Sequence, residues 1–283
     1  MKKSLYILSF VAITLAAAGC KGDKAAVIPS SISNAGYEDR PGGILLKWDL
    51  PSDNSVLYVK AMYHDPLLDI DAVRLSSCDT ILVPDTRAKY GDYNFTLQPF
   101  SNTDTGGATL SVTGRSGPAP AAFGQAEKMD LQVGDLSTNA QEPSEGPIGN
   151  LLDGDTGTFF HTAWSVDVPA PHWLQIHLPK AVDNTGFFRF RYSPRNNTNN
   201  KPTKFDLKGS TDGNTWTLIK TFTKDADGLP VSQTDAYTSP NIRPTFEVNH
   251  IRIEVTETNN GTVFFTMSEF GVWSGPMVDP EAD

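Results

Sequence analysis

The chain has little cysteine and little positive charge, and each shortage excludes a class of protein. Two cysteines in 283 residues, Cys20 and Cys78, rule out a disulfide-rich scaffold. Lysine and arginine number 23 against 33 aspartates and glutamates, for a formal charge of −10. The basic residues are scattered, so no patch suited to neutralising phosphates is present and no nucleic-acid partner is expected. Catalytic signatures are also missing: there is no Gly-x-Ser-x-Gly, His-Glu-x-x-His, Cys-x-x-Cys or phosphate-loop pattern. The five histidines (His64, His161, His172, His177 and His250) lack metal-ligand spacing. His172 and His177 come nearest, but five positions apart on a strand they face opposite sides.

The body of the chain has no long apolar run; the one that occurs lies at the extreme N-terminus. Lys2 and Lys3 precede the apolar stretch 5–18, and Ala16-Ala17-Ala18-Gly19 supplies small residues at its end. This is the pattern of a secretory signal peptide over residues 1–19. Cys20 directly after Ala-Ala-Gly resembles the lipobox of bacterial lipoproteins, although Leu15 stands two positions earlier than the usual leucine. The resemblance implies that Cys20 is acylated and tethers an outer-membrane lipoprotein exposed at the cell surface. Residues 20–30, polar and ending near Pro29, then form a tether. Cys78 would be left as a single thiol, read as a small buried or edge-strand residue.

Beyond the tether the chain divides into two bodies, residues 31–115 and 125–275, with a linker over 116–124 (Ser116-Gly-Pro-Ala-Pro-Ala-Ala) and a tail over 276–283. Neither body shows a sustained helical period, and both show short β-branched and aromatic runs separated by Gly, Pro, Asp and Asn. The class is therefore all-β. In the first body, Ile44 to Trp48 and Val56 to Lys60 read as neighbouring strands, and Tyr93 to Gln98 and Ala108 to Val112 flank a turn-rich segment. A strand ending in Trp48 before Asp49-Leu50-Pro51, with the later Tyr93-x-Phe95, resembles the fibronectin type III sandwich, in which Trp48 and Tyr93 are core residues. In the second body Leu174, Ile176 and Leu178 alternate with Trp173, Gln175 and His177, and Phe188, Phe190 and Tyr192 alternate with arginines. Such a period of two marks half-buried antiparallel strands.

The segment from Asn150 to Trp164 is the most informative. Asp153-Gly-Asp155 followed by Thr158 concentrates oxygen donors, with Gly154 and Gly157 letting carbonyls turn inward. Such a set suits Ca²⁺, and equally suits a solvated turn stabilised by its own Asp side chains.

Five pieces in order over some 150 residues carry a resemblance: Asp153 to His161, Trp173-Leu-Gln-Ile-His-Leu178, Tyr192-Ser-Pro-Arg195, Ser210-Thr-Asp-Gly-Asn-Thr-Trp216 and Ser268-Glu-Phe-Gly-Val-Trp273. They resemble the discoidin or coagulation factor V/VIII C-type domain, also known as the family-32 carbohydrate-binding module. Phe160, where the family usually has Trp, and His177, where it often has Asp, depart from the pattern. The resemblance implies a galactose-binding-like jelly-roll sandwich with one structural Ca²⁺. Asp153 and Thr158 would then give side-chain oxygens, Leu151 or Leu152 and Asp155 backbone oxygens, and Glu269 the closing carboxylate.

It also implies a sugar site in loops at one end of the sandwich. By motif position His161, Arg195 and Asn200 would hydrogen-bond ring hydroxyls, with Glu145 as a fourth and Asn199 as an alternative to Asn200. Phe264 and Phe265 would supply the aromatic platform, with Trp164 in competition. These residue types suit the task, because Arg presents a rigid fork of donors, Asn both a donor and an acceptor, and neutral His one of each.

The expectation is a non-catalytic surface lipoprotein that captures glycan or polysaccharide, alongside outer-membrane transporter and hydrolase partners. The alternative is an adhesion or assembly protein in which the same fold contacts a protein or lipid. Two small sandwiches leave little room for a catalytic domain, although paired carboxylates are spatial and cannot be read from sequence.

Overall fold

The computed structural model describes residues 25–232 and 235–282. The signal peptide, Cys20 and the start of the tether lie outside the described residues. The chain folds as two compact units that divide between Ala119 and Pro120.

Among the described residues the first unit has seven strands: β1 (Ser33–Arg40), β2 (Gly43–Asp49), β3 (Tyr58–Asp65), β4 (Ile70–Ser76), β5 (Thr80–Pro84), β6 (Asp92–Phe100) and β7 (Leu110–Arg115). They form a three-stranded sheet in the order β1-β2-β5 and a four-stranded sheet in the order β4-β3-β6-β7, with antiparallel pairing throughout. Ile44, Leu46, Trp48 and Val83 from one sheet meet Val59, Ala61, Tyr63, Phe95 and Leu97 from the other in a single buried core. Trp48 and Tyr93 are both core residues. The Tyr93 hydroxyl, at the start of β6, takes a hydrogen bond from the Arg87 amide at 2.9 Å and lies 3.2 Å from the Arg87 carbonyl.

Three sequence expectations for this unit are corrected. Strands β2 and β3 are consecutive in the chain but belong to different sheets, so the segment 50–57 crosses the sandwich rather than turning a hairpin. Cys78 is exposed in the turn between β4 and β5, not buried and not in an edge strand. The end of the tether is fastened to the body, because the Val27 amide donates to Thr103 Oγ1 and the Ser30 amide to Ser55 Oγ.

The second unit contains β8 (Ala122–Phe123), β9 (Glu127–Lys128), β10 (Leu136–Thr138), β11 (Phe160–His161), β12 (His172–Val182), β13 (Gly186–Ser193), β14 (Pro202–Ser210) and β15 (Thr217–Thr223). There follow a single helical turn α1 (Lys224–Asp227), then β16 (Tyr237–Thr238), β17 (Val248–Thr258), β18 (Thr266–Met267) and β19 (Glu269–Val278). One sheet runs β10-β12-β17-β14-β15 and the other β16-β13-β19-β8, with β9 also pairing with β19. Strands β11 and β18 pair separately. The alternating residues of β12 fall as expected: Leu174, Ile176 and Leu178 are buried, and His177 is exposed. Between the sheets Phe190, Phe205 and Phe222 pack with ring centroids 5.1–6.0 Å apart, and Phe188, Phe265 and Phe270 extend the core. Removing one such ring costs about 3–5 kcal/mol, so this cluster dominates the stability of the unit.

The linker and tail are also corrected. Ser116 and Gly117 belong to the first unit, where Gly117 exchanges backbone hydrogen bonds with Arg40 and Gly42. Ala122 and Phe123 pair with Val278 and Met277, so residues assigned to the linker and to the tail close the second unit.

Candidate functional site

The loops at one end of the second unit gather most of the proposed binding residues. His161 ends β11, opposite Thr266 of β18. Its amide donates to the Gly146 carbonyl at 3.0 Å, and its carbonyl accepts from the Glu142 amide. Gly146 has φ +60°, and a Cβ there would stand 2.7 Å from the His161 nitrogen, so only glycine fits this approach. His161 is 3% exposed, and its Nδ1 lies 2.6 Å from the Thr162 carbonyl, which fixes Nδ1 as the donor. Nε2 is left as the acceptor and faces Asn200 Nδ2 at 3.4 Å. Burial holds the His161 pKa below the usual histidine value, so the ring is neutral.

Arg195 follows the end of β13. Ser268 pins that strand end, with its amide 2.8 Å from the Ser193 carbonyl and its hydroxyl 3.1 Å from the Pro194 carbonyl. The Arg195 guanidinium lies over the Phe159 ring, 3.2 Å from its centroid. Burial lowers its pKa and the nearby Glu145 opposes that shift, and a guanidinium stays charged. Among the described residues no hydrogen bond occupies the guanidinium, so its fork of donors is open to a ligand.

Asn200 adopts φ +61°, a left-handed conformation that asparagine tolerates better than most residues. Its Oδ1 accepts from Asn260 Nδ2 at 2.9 Å and from Thr262 Oγ1 at 3.1 Å, and its amide donates to Asn260 Oδ1. Asn200, rather than the exposed Asn199, is the residue whose side chain meets His161. Lys201 beneath it is fully buried and binds the Asn197 carbonyl and Oδ1, which fastens the loop 196–200 from below.

The aromatic platform differs from the expectation at Phe265. That ring is fully buried against Phe160, because its amide and carbonyl both bond Thr162 and so turn the side chain into the core. Phe264 points the other way, half-buried, with its centroid 5.8 Å from that of His161. Trp164 is 51% exposed and donates its indole N–H to Glu145 Oε1 at 3.0 Å. Trp164, Val166, Val263 and Phe264 line a shallow cleft of about 320 Å³.

Sequence reasoning missed Glu142 and Phe159. Glu142 is buried, and its carboxylate accepts from the Trp164 and Ser165 amides and from the Ser144 and Ser165 hydroxyls. Desolvation opposes its charge, but these hydrogen bonds outweigh it and hold the pKa far below the usual carboxylate range. Glu142 thereby sets the position of Trp164. The role of Phe159 was legible in part, since it stands two residues before His161 in an extended stretch and so shares its side.

The proposed calcium residues form a separate group. Thr158 Oγ1 lies 2.7 Å from Asp153 Oδ2 and 3.0 Å from the Asp155 carbonyl. Burial, followed by the Asp153 carboxylate beside it, raises the Glu269 pKa. Glu269 Oε1 is buried with no hydrogen-bond partner. Two adjacent carboxylates, one carrying an orphaned oxygen, together with a hydroxyl and carbonyls, fit a hard cation that takes oxygen ligands. Leu152 and Gly154 line the cavity beside Glu269, while the Leu151 side chain is buried in the core. Among the described residues no three His, Cys, Asp or Glu side chains gather as a metal group.

Residues 135–270 match the family model described as the F5/8 type C domain. The second unit carries an F5/8 type C domain. This domain is similar to part of a sialidase from Micromonospora viridifaciens, at 28% identity over 117 residues. The match covers 39% of this chain and spans 17% of the sialidase. Among solved structures, a family-32 carbohydrate-binding module from Clostridium perfringens in complex with GalNAc-β-1,3-galactose is 22% identical, with a TM-score of 0.41, over 52% of this chain and 99% of its own. A second module of that family and organism, in complex with galactose, is 21% identical with a TM-score of 0.40, over 52% of this chain and 99% of its own. A SusE-like protein is 14% identical with a TM-score of 0.40, over 86% of this chain and 97% of its own. Within the F5/8 type C domain, then, Glu145, His161, Trp164, Arg195, Asn200 and Phe264 converge on one loop surface. Phe265 does not reach it.

Proposed function

We propose that the F5/8 type C domain binds carbohydrate through the surface built by His161, Arg195, Asn200, Glu145, Trp164 and Phe264, and that the protein is a non-catalytic capture module. The observation that carries this reading is the Arg195 guanidinium, laid over Phe159 with its donors unoccupied, beside an imidazole acceptor and an amide and next to exposed aromatic surface. Vicinal hydroxyls offer donors and acceptors at fixed angles, and the apolar face of a sugar ring packs on an aromatic side chain. A single contact of this kind gives weak affinity, because each hydroxyl exchanges water for protein with little net gain, and a repeating polymer offsets that through avidity.

Around this site the reading adds an acylated Cys20 in the bacterial outer membrane and a first unit that serves as a spacer. The three-plus-four strand order and the Tyr93 hydroxyl bonded to the Arg87 backbone support a fibronectin type III-like sandwich for that unit. A structural Ca²⁺ held by Asp153, Thr158 and Glu269 would offset the repulsion between the Asp153 and Glu269 carboxylates and brace the loop 151–158. Membrane transporters and hydrolases acting on the same glycan are the expected partners.

A glycan array probed with wild-type protein and Arg195→Ala tests the reading. Binding to a coherent sugar class that disappears in the variant, with the fold intact, supports it. Silence across the array from folded protein shifts the reading to adhesion through a protein or lipid.

A further inference from the structure

One concavity among the described residues lies away from His161 and Arg195. It is a polar cleft of about 750 Å³ whose lining includes Thr203, Lys204, Thr223, Val231, Glu257 and Asn259. Its residues come from the start of β14, the end of β15 with α1 and the loop after it, and the end of β17 with the turn that follows, which is the same end of the sandwich as the loop surface. The two regions share one turn. Asn260 holds Asn200 at the loop surface, while its neighbour Asn259 lines the cleft and receives the Lys201 amide on its Oδ1 at 3.0 Å. Asn259 Nδ2 donates to the Thr198 carbonyl at 2.7 Å, so the shared turn is bonded to the loop 196–200 on both sides.

We infer that this cleft is an extended subsite for the neighbouring residues of an oligosaccharide whose first residue sits at His161, Arg195 and Asn200, so that the domain reads a stretch of glycan chain rather than a single sugar. The inference rests on the proposed carbohydrate-binding reading and adds the recognition mode. The chemistry of the cleft suits hydroxyls: three threonines, an asparagine, two lysines (Lys204 and Lys224) and two carboxylates (Asp225 and Glu257) place donors beside acceptors. Lys204 and Glu257 meet at 3.1 Å with 41% and 61% of their side chains exposed, so each keeps capacity for a ligand. The cleft has no aromatic platform. It therefore contributes hydrogen bonds to a chain already anchored at the loop surface and does not bind a free monosaccharide on its own.

Calorimetric titration with size ladders of one to six residues, prepared from galactan, arabinan, xylan and mannan, tests the inference on wild type, Glu257→Ala and Thr203→Arg. Wild type is expected to gain about tenfold in affinity between the monosaccharide and the trisaccharide of the ladder it binds, which corresponds to about 1.4 kcal/mol. Both variants should keep monosaccharide affinity and lose the gain with length. Thr203→Arg fills the cleft, and Glu257→Ala opens it by removing one acceptor, so a shared loss is not an effect of size. Affinity that stays flat with chain length, or a length gain preserved in both variants, overturns the inference and leaves the carbohydrate reading standing. Failure of folded wild type to bind any ladder at any length, together with silence across the glycan array, overturns both.

Discussion

Arg195 rests on Phe159, with its guanidinium carbon 3.2 Å from the ring centroid, and the contact aims an otherwise unbonded cation at the space beside His161. Phe159 thus acts on the site through Arg195. Replacing Arg195 by alanine removes the donors and a cation–π contact worth about 0.5–1 kcal/mol of stability. Glycan affinity is expected to fall at least tenfold, about 1.4 kcal/mol, while the midpoint of thermal unfolding changes little. Arg195→Lys should recover little affinity, because an ammonium cannot present a planar fork. Titration calorimetry beside thermal denaturation separates the two effects.

Binding should weaken in acid. The folded pKa of His161 is depressed by burial, so the unfolded chain takes up a proton first as pH falls. The stability contributed by neutral His161 is complete above the unfolded histidine value, roughly 6.5, and is lost as pH drops through the lower folded value. Protonation also converts Nε2 from acceptor to donor, facing the Asn200 amide. Affinity measured from about pH 7.5 down to about pH 5 should decline in wild type and stay flatter in His161→Gln.

Glu142 is expected to control Trp164. Glu142→Gln keeps the shape but replaces an acceptor of five hydrogen bonds with a group that must also donate, against amides and hydroxyls that donate to it. The variant should unfold at lower temperature and show a more mobile Trp164, read as a shifted and broadened indole fluorescence. Its lowered pKa makes the wild-type contribution present above about 4.5 and lost as pH falls further below.

Much of this arrangement was visible in the sequence because it is local. A period of two over Trp173 to Leu178 placed alternate residues inside and outside, and the order of the five motif pieces located His161 and Arg195. The contents of the platform were not visible. Phe264 and Phe265 are adjacent, and which one faces out depends on a one-residue register set by the Thr162 bonds to Phe265, a contact across 103 positions. Glu142 reaches Trp164 across 22 positions, and no spacing rule couples such a pair. The strand pairing of Ala122 and Phe123 with β19 is two residues long, too short for any periodicity to reveal.

Gly146→Ala offers a purely steric test of how the site is supported. The left-handed φ and the 2.7 Å approach to the His161 nitrogen both oppose a side chain. Backbone strain of this kind costs about 1–3 kcal/mol, and the clash adds to it. Denaturant titration should show a lower midpoint, with His161 displaced and affinity reduced.

Calcium should stabilise the domain if Asp153 and Glu269 hold it. Adding Ca²⁺ to chelated protein is expected to raise the unfolding temperature in proportion to the logarithm of its concentration, and Glu269→Gln should abolish the rise. No rise in wild type would leave the segment 153–158 as a turn fastened by its own side chains.

The most direct test of the central claim is a nitrogen-15 NMR titration of the protein with the glycan the array selects, following the Trp164 indole and Arg195 guanidinium N–H signals. These two signals and the amides around His161 and Asn200 are expected to shift together and saturate at one affinity. Saturable shifts confined to other surfaces, with Trp164 and Arg195 unmoved, would contradict it.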